Sequence, residues 1–157
     1  MVIREMNFSD TESVRRIAAD TWRDTYTTFI PEEIQDKVLN DAYSNEEMER
    51  RFNASLNLVA ESDGVIMGYA FFSGDQHLFL ESLYVHPNHQ GKGIGKRLLV
   101  TGISRFKECD SISLTVYKGN PNISFYEREG FQVMKVNEGD FYGHPVGFIL
   151  MKKHLNI

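Results

Sequence analysis

The chain has 157 residues, 41% of them apolar and 25% charged, which is the size and composition of one globular domain spanning residues 1–157. Its single cysteine, Cys109, excludes an internal disulfide, and its net charge of −5 argues against nucleic acid as a general partner. No apolar run approaches the roughly 20 residues that span a bilayer, and the start Met1-Val2-Ile3-Arg4-Glu5 does not read as a signal peptide. The expectation is therefore a cytoplasmic protein with no membrane partner.

Val2 to Met6 reads as a strand. Ser9 or Asp10 then caps a helix with Glu12 in its first turn, and Val14, Ile17, Ala18, Thr21, Trp22 and Thr25 follow the helical period. Pro31 ends that helix and opens the next, with Glu32 and Glu33 in its first turn. Ser44 or Asn45 caps a third helix running through Phe52. Asn57–Glu61 and Val65–Phe72 are strands joined by the turn signal Ser62-Asp63-Gly64. A third apolar strand runs from His77 to Val85. Past it lie a glycine-rich loop and a helix over residues 95–108, with Ile94, Leu98, Leu99, Ile103 and Phe106 on its core side. Ser111–Val116 is a further strand. In the next short helix Asn120 suits the cap, Pro121 the first helical position and Gly130 the left-handed stop. Phe131–Val136 and Gly147–Lys152 form a closing hairpin, with residues 137–145 as a long loop. The order implies an α/β fold with a mixed sheet covered on both faces.

The charge is uneven. Residues 1–60 hold seven Lys/Arg against twelve Asp/Glu, and residues 61–157 hold ten of each. No acid occurs between Ser82 and Lys107, where Lys92, Lys96, Arg97, Arg105 and Lys107 all lie. Within that basic stretch, His86-Pro-Asn-His-Gln90-Gly-Lys-Gly93-Ile-Gly95-Lys-Arg97 joins a strand to a helix. Its glycines allow tight turns and close approach of a ligand, and the helix points free N–H groups into the loop. Such a loop binds phosphate. A Walker loop is excluded, since Gly95-Lys96 is followed by Arg97 and Gln90 stands where its first glycine belongs. A dinucleotide fingerprint fails as well, from Gly91 at Lys96 and from Gly93 at Leu98.

What remains, Gln90-x-x-Gly93-x-Gly95 after a strand, resembles the acyl-CoA pyrophosphate loop of the GNAT N-acetyltransferases. A second motif strengthens the resemblance: Asn120-Pro-Asn-Ile-Ser124-Phe125-Tyr126-Glu-Arg-Glu-Gly130-Phe131 repeats the family's Asn, Phe-Tyr and Gly-Phe spacing in a strand–helix–strand. The match is specific from about Leu78 to Phe131, and the element order fits over nearly the whole chain. The resemblance implies a GNAT fold: a mixed central sheet of about seven strands flanked by helices, with strands four and five splayed. It implies acetyl-CoA as co-substrate and no metal. The backbone of Leu83, Tyr84 and Val85 would meet the pantetheine. Gln90, Gly91, Lys92, Gly93, Ile94, Gly95 and Lys96 would hold the pyrophosphate. Asn120, Ser124 and Tyr126 would line the thioester end.

The implied reaction moves an acetyl group to a primary amine. An amine of pKa about 10.4 costs about 4.6 kcal/mol to neutralise at pH 7, so a base or a desolvating pocket must assist. The resemblance assigns the base to Glu81, with Tyr84 and His86 as alternatives. Among apolar neighbours its carboxylate is expected to be buried and its pKa raised. Tyr126 is the candidate acid for the leaving thiolate, and the Val85 N–H the oxyanion donor. Cys109 reads as a small apolar residue rather than a nucleophile. His86 and His89 do not make a metal site, since Pro87 prevents a helix there and no H-E-x-x-H is present.

Trp22, Tyr26 and Phe29, with Asp24, Glu32 and Glu33 nearby, would form the acceptor wall together with Glu81, or would simply pack the helix on the sheet. The segment from Thr21 to Glu33, together with Asp140-Phe-Tyr142, is similar to polyamine acetyltransferases of the spermidine/spermine type. A protein N-terminal amine, an amino-acid-like amine, and a non-catalytic acyl-CoA sensor stay open, as does a homodimer.

Overall fold

The computed structural model describes residues 1–155. A first strand, β1 (Val2–Glu5), leads through a short 3-10 turn at Phe8–Asp10 into α1 (Thr11–Tyr26). The corner is held by charge. The Asn7 N–H donates to the Asp10 carboxylate at 2.8 Å, and Arg4 donates to the same carboxylate at 2.8 and 3.1 Å. The guanidinium holds the Asp10 carboxyl below its usual range. α2 (Glu32–Ala42) starts directly after Pro31. α3 (Asn45–Ala54) is capped by Ser44, whose Oγ accepts from the Glu47 N–H at 3.1 Å.

β2 (Leu56–Ser62) and β3 (Val65–Gly74) form the expected hairpin. Its two turn residues, Asp63 and Gly64, both have positive φ, 52° and 79°. β4 (His77–Val85) follows, then α4 (Ile94–Ser104), β5 (Ser111–Tyr117) and α5 (Ile123–Arg128). The chain closes with β6 (Gln132–Phe141) and β7 (His144–His154). The seven strands lie in the order β1-β2-β3-β4-β5-β7-β6. All pairs are antiparallel except β4 and β5.

Three expectations about elements need correction. Residues 137–145 are not a long loop. β6 and β7 extend to a two-residue turn at Tyr142 and Gly143, whose φ values are 51° and 86°. The helix after the glycine loop stops at Ser104 rather than 108. Asn120 is not the cap of the short helix. Asn122 is, and Pro121 lies outside it.

The two sheet faces are covered differently. Ala70 and Phe72 of β3 face the core under α4, together with Leu98 and Leu99. Tyr69 and Phe71 face Val14 and Ala18 of α1 and Met48 of α3. A third cluster holds Trp22, Tyr26 and Ile30. Gly102 sets how closely α4 lies on the sheet. A Cβ built there would stand 2.0 Å from the Phe72 ring, which is fully buried. Replacing Gly102 by Ala should therefore cost about 2 kcal/mol through overpacking, despite the better helix former. A urea titration would check this by a lower midpoint at unchanged slope.

Candidate active site

The site begins where β4 and β5 part. Their parallel pairing covers only His77–Phe79 against Ser111–Ser113. The His77 ring bonds Ser111 Oγ through Nδ1 and lies 3.0 Å from Ser113 Oγ through Nε2, so it staples this seam. Just beyond it, β4 bulges. Phe72 of β3 faces Leu80 and Phe71 faces Ser82, leaving Glu81 without a partner. A bulge bends its strand. Leu80 consequently packs in the core under α4, while Ser82 turns to the other face, 3.3 Å from the Tyr43 hydroxyl.

The gap is a cavity of about 540 Å³ that passes through the sheet. Leu80–Val85 form one lip and Leu114–Tyr117 the other. On the α4 face, Gln90, Gly91 and Gly93 to Lys96 close one end, with Phe125, Tyr126, Arg128 and Glu129 beside them. On the α1 face the walls are Thr21, Thr25, Tyr26 and Asn120.

Local sequence explains the loop. Gly91 and Gly93 have φ of 79° and 78°, and a Cβ at either would meet nothing within 4 Å. They are needed for backbone conformation, not for lack of room. Gly93 is the residue before α4, whose first turn carries no acidic side chain. Its free N–H groups and dipole suit that end to an anion. The Gln90 side chain turns back, donating to the Val85 carbonyl at 3.0 Å and so occupying an acceptor at the end of β4. Lys96 lines the cavity and pairs with Glu129 at 3.8 Å.

Tyr126 lines the cavity at 7% exposure, packed edge-on against Phe125 and Phe131. Burial pushes its phenol well above the usual tyrosine range, so it is protonated at neutral pH. Tyr26 and Tyr84 are shifted up by burial too, and Tyr117 is pushed up to about 12. Cys109 lies outside the cleft, buried with its thiol on the Asp75 carbonyl. His86 is held in structural bonds. Its Nδ1 accepts from the Asn88 N–H at 3.2 Å and its Nε2 lies 2.8 Å from the Asp20 carboxylate.

The structure brings most of the expected residues together and leaves some outside. Leu83, Tyr84, Val85, Gln90, Gly91, Gly93, Ile94, Gly95, Lys96, Asn120, Tyr126, Tyr26 and Glu81 line the one cleft. Lys92 and Ser124 are exposed outside the lining. Trp22 is buried behind it, with Nε1 donating to the Tyr84 hydroxyl at 3.0 Å. Phe29 packs over Gly119. Glu81 does not have the buried setting expected of it. Its carboxylate is exposed and accepts from Ser73 Oγ at 3.1 Å. Asn120 donates to the Tyr26 hydroxyl at 2.8 Å and accepts from the Asn122 N–H at 2.8 Å. Sequence reading missed Thr21 and Thr25 as lining residues. Their four-residue spacing beside Trp22 and Tyr26 marks a polar stripe along α1. Thr21 Oγ1 is buried without a hydrogen-bond partner among the described residues, and so is His89 Nδ1. No cluster of three or more His, Cys, Asp or Glu suited to a metal occurs among the described residues. No helix among them is long and apolar enough to cross a membrane.

The acetyltransferase (GNAT) family model matches residues 12–131. The chain belongs to this family. A spermidine N(1)-acetyltransferase of Thermoplasma acidophilum is 26% identical over 151 residues, covering 88% of this chain and 92% of that protein. The L-amino acid N-acyltransferase MnaT of Escherichia coli is 45% identical, but only over 58 residues, a third of each chain (33% and 34%). Among solved structures, the PaiA N-acetyltransferase of Thermoplasma acidophilum in complex with coenzyme A superposes with a TM-score of 0.85 at 26% identity, covering 98% of both chains. The yncA protein of Salmonella typhimurium, solved with acetyl-CoA, gives 0.73 at 26% identity over 100% of this chain and 95% of that one.

The loop geometry makes a direct prediction. Gly93→Ala has room for its methyl group but must hold a left-handed φ, costing about 1–2 kcal/mol. Coenzyme A affinity measured by calorimetry should fall about tenfold as the loop relaxes away from this conformation.

Proposed function

We propose that the protein transfers an acetyl group from acetyl-CoA to a primary amine, and that the acceptor is a polyamine-like cation. One observation carries the reading. A helix N-terminus with left-handed glycines and a buried, protonated tyrosine face the same cleft through the sheet. The first suits a pyrophosphate and the second a leaving thiolate. The family and the coenzyme A complex of the Thermoplasma neighbour support the same assignment.

In the proposed step the neutral amine attacks the thioester carbonyl carbon directly, forming C–N and a tetrahedral oxyanion that collapses as C–S breaks and the thiolate leaves. The Val85 N–H would stabilise the oxyanion. The thiolate takes the Tyr126 proton, and solvent restores it. The ammonium gives one proton to Glu81, directly or through water, before attack. After C–N forms the nitrogen gives up its second proton to solvent, so one proton is released net once Tyr126 is reprotonated. Exposure of Glu81 favours the water-mediated route.

Two acceptor classes compete, a cationic amine and an amino acid. An amino acid would bring a carboxylate that needs a cation. The acceptor side of the cleft presents Thr21, Thr25, Tyr26, Glu81, Ser82 and Tyr84, with a carboxylate and no Lys or Arg. The basic lining residues, Lys96 and Arg128, lie at the α4–α5 end. This distribution and the near full-length similarity to a spermidine acetyltransferase favour the polyamine.

Thiol release from acetyl-CoA with spermidine, spermine, L-amino acids and short peptides tests the reading. Turnover should be fastest with the polyamines. Tyr126→Phe should lower kcat at least tenfold with little change in KM for acetyl-CoA, as for a group acting only in the transition state. Coenzyme A binding with no release for any amine would instead identify a sensor.

A further inference from the structure

Beyond the three-residue seam β4 and β5 share no ladder, yet α1 is bonded to both lips. Trp22 and Tyr26 stand one turn apart on α1, their rings 4.7 Å between centroids. Trp22 Nε1 donates to the Tyr84 hydroxyl on β4 at 3.0 Å. Tyr26 accepts at 2.8 Å from Nδ2 of Asn120, three residues past the end of β5. Both rings also pack on Tyr117 of β5, at 5.7 and 5.5 Å. Trp22 and Tyr26 are 3% and 6% exposed, so the α1 ends of these part-buried bonds are held by packing.

The Tyr26 link continues into the cleft. The other end of the Asn120 amide accepts from the Asn122 N–H, which fixes the amide orientation and the turn leading into α5. α5 carries Tyr126. A displacement of Tyr26 is thus passed through one side chain to the helix that holds the proposed acid.

We propose that the Trp22–Tyr26 pair is a brace across the open wedge, and that Tyr26 is a positioning residue for acyl transfer, acting through Asn120. The proposal rests on the reading that the wedge holds acyl-CoA. The brace sets the distance between the strand that meets the thioester arm and the helix that delivers the proton. It also makes the acceptor wall and the donor site one mechanical unit, because the helix lining the acceptor side holds both lips.

Tyr26→Phe removes one oxygen and keeps the ring. Coenzyme A affinity by calorimetry, kcat and KM for both substrates, and thermal midpoint would be measured for the wild type, Tyr26→Phe, Asn120→Ala and the double variant. The expected result for Tyr26→Phe is a fall in kcat of about tenfold, the scale of one buried hydrogen bond. It should appear at a temperature where the variant is fully folded. The double variant should be no slower than Asn120→Ala alone, because the two residues act as one unit. Tyr84→Phe cuts the bond to the other lip and should reproduce the fall, which keeps the test open if Tyr26→Phe fails to fold. Additive effects, a kcat within twofold of wild type in Tyr26→Phe and Tyr84→Phe, or a loss confined to the thermal midpoint would overturn the brace. Failure of the wild-type protein to bind coenzyme A would overturn the site reading itself, and with it the brace.

Discussion

The architecture depends on a parallel pairing that stops after three residue pairs. An unpaired strand edge inside a protein is costly, because backbone N–H and C=O groups lose water without gaining partners. Here the cost is contained. β4 is laddered to β3 along its outer edge, and β5 to β7 over its full length. His77 closes the seam, and the bulge at Glu81 turns β4 away from its neighbour. The open edges that remain are suited to a ligand with amide groups of its own, in the manner of strand addition. α4 and α1 cover opposite faces, and residues from both sides line the gap.

Charge is arranged around this gap less simply than composition suggests. The acidic excess of the first 60 residues does not form one attractive face. Arg4 pairs with Asp10 and Glu61, Arg15 with Glu12, Arg23 with Glu32 and Asp36, and Arg50 with Glu47. Arg23 ties α1 to α2 and Arg4 ties β1 to the Asp10 corner and to β2, while the Arg15 and Arg50 pairs lie within single helices and, being largely exposed, add little stability. The basic stretch keeps more of its charge available at the loop, where Lys96 is the lining cation and its pairing with Glu129 is long, at 3.8 Å. The positive character of the loop end thus follows from local sequence, whereas the α1 side of the cleft presents a few neutral hydroxyls and one carboxylate.

The parts of the site that were legible in the sequence are those with a local conformational demand. Gly91 and Gly93 have positive φ, and a glycine loop of this kind ahead of a helix can be read from sequence as suited to an anion. The Asn120–Gly130 run is equally local, although its cap fell two residues later. The illegible parts depend on residues far apart. Glu81 sits among apolar neighbours and reads as buried, but the bulge sends Leu80 and Ser82 to opposite faces and leaves Glu81 in solvent. Asn137 to Asp140 are polar and read as a loop. They belong instead to an edge strand that is exposed along its length, where alternation carries no signal. The bonds Trp22–Tyr84 and Tyr26–Asn120 join positions 62 and 94 residues apart, and only the folded wedge brings them together.

The distribution of proton donors and acceptors within the cleft gives the proposed chemistry a direction. Tyr26, Tyr84, Tyr117 and Tyr126 all line it, and burial keeps all four phenols protonated at neutral pH. A buried phenolate is disfavoured there, which makes these side chains poorly suited to act as bases. Under the proposed mechanism Tyr126 would hydrogen-bond the departing sulfur, its phenolate being formed only as solvent replaces the proton. Among the lining carboxylates Glu129 is paired with Lys96, while Glu81 lies at the exposed edge of the cleft. The cleft interior therefore supplies donors, and proton acceptance belongs at its solvated mouth. A cationic amine entering past Glu81 would shed its proton before reaching the dry interior, where desolvation disfavours the ammonium and favours the neutral nucleophile.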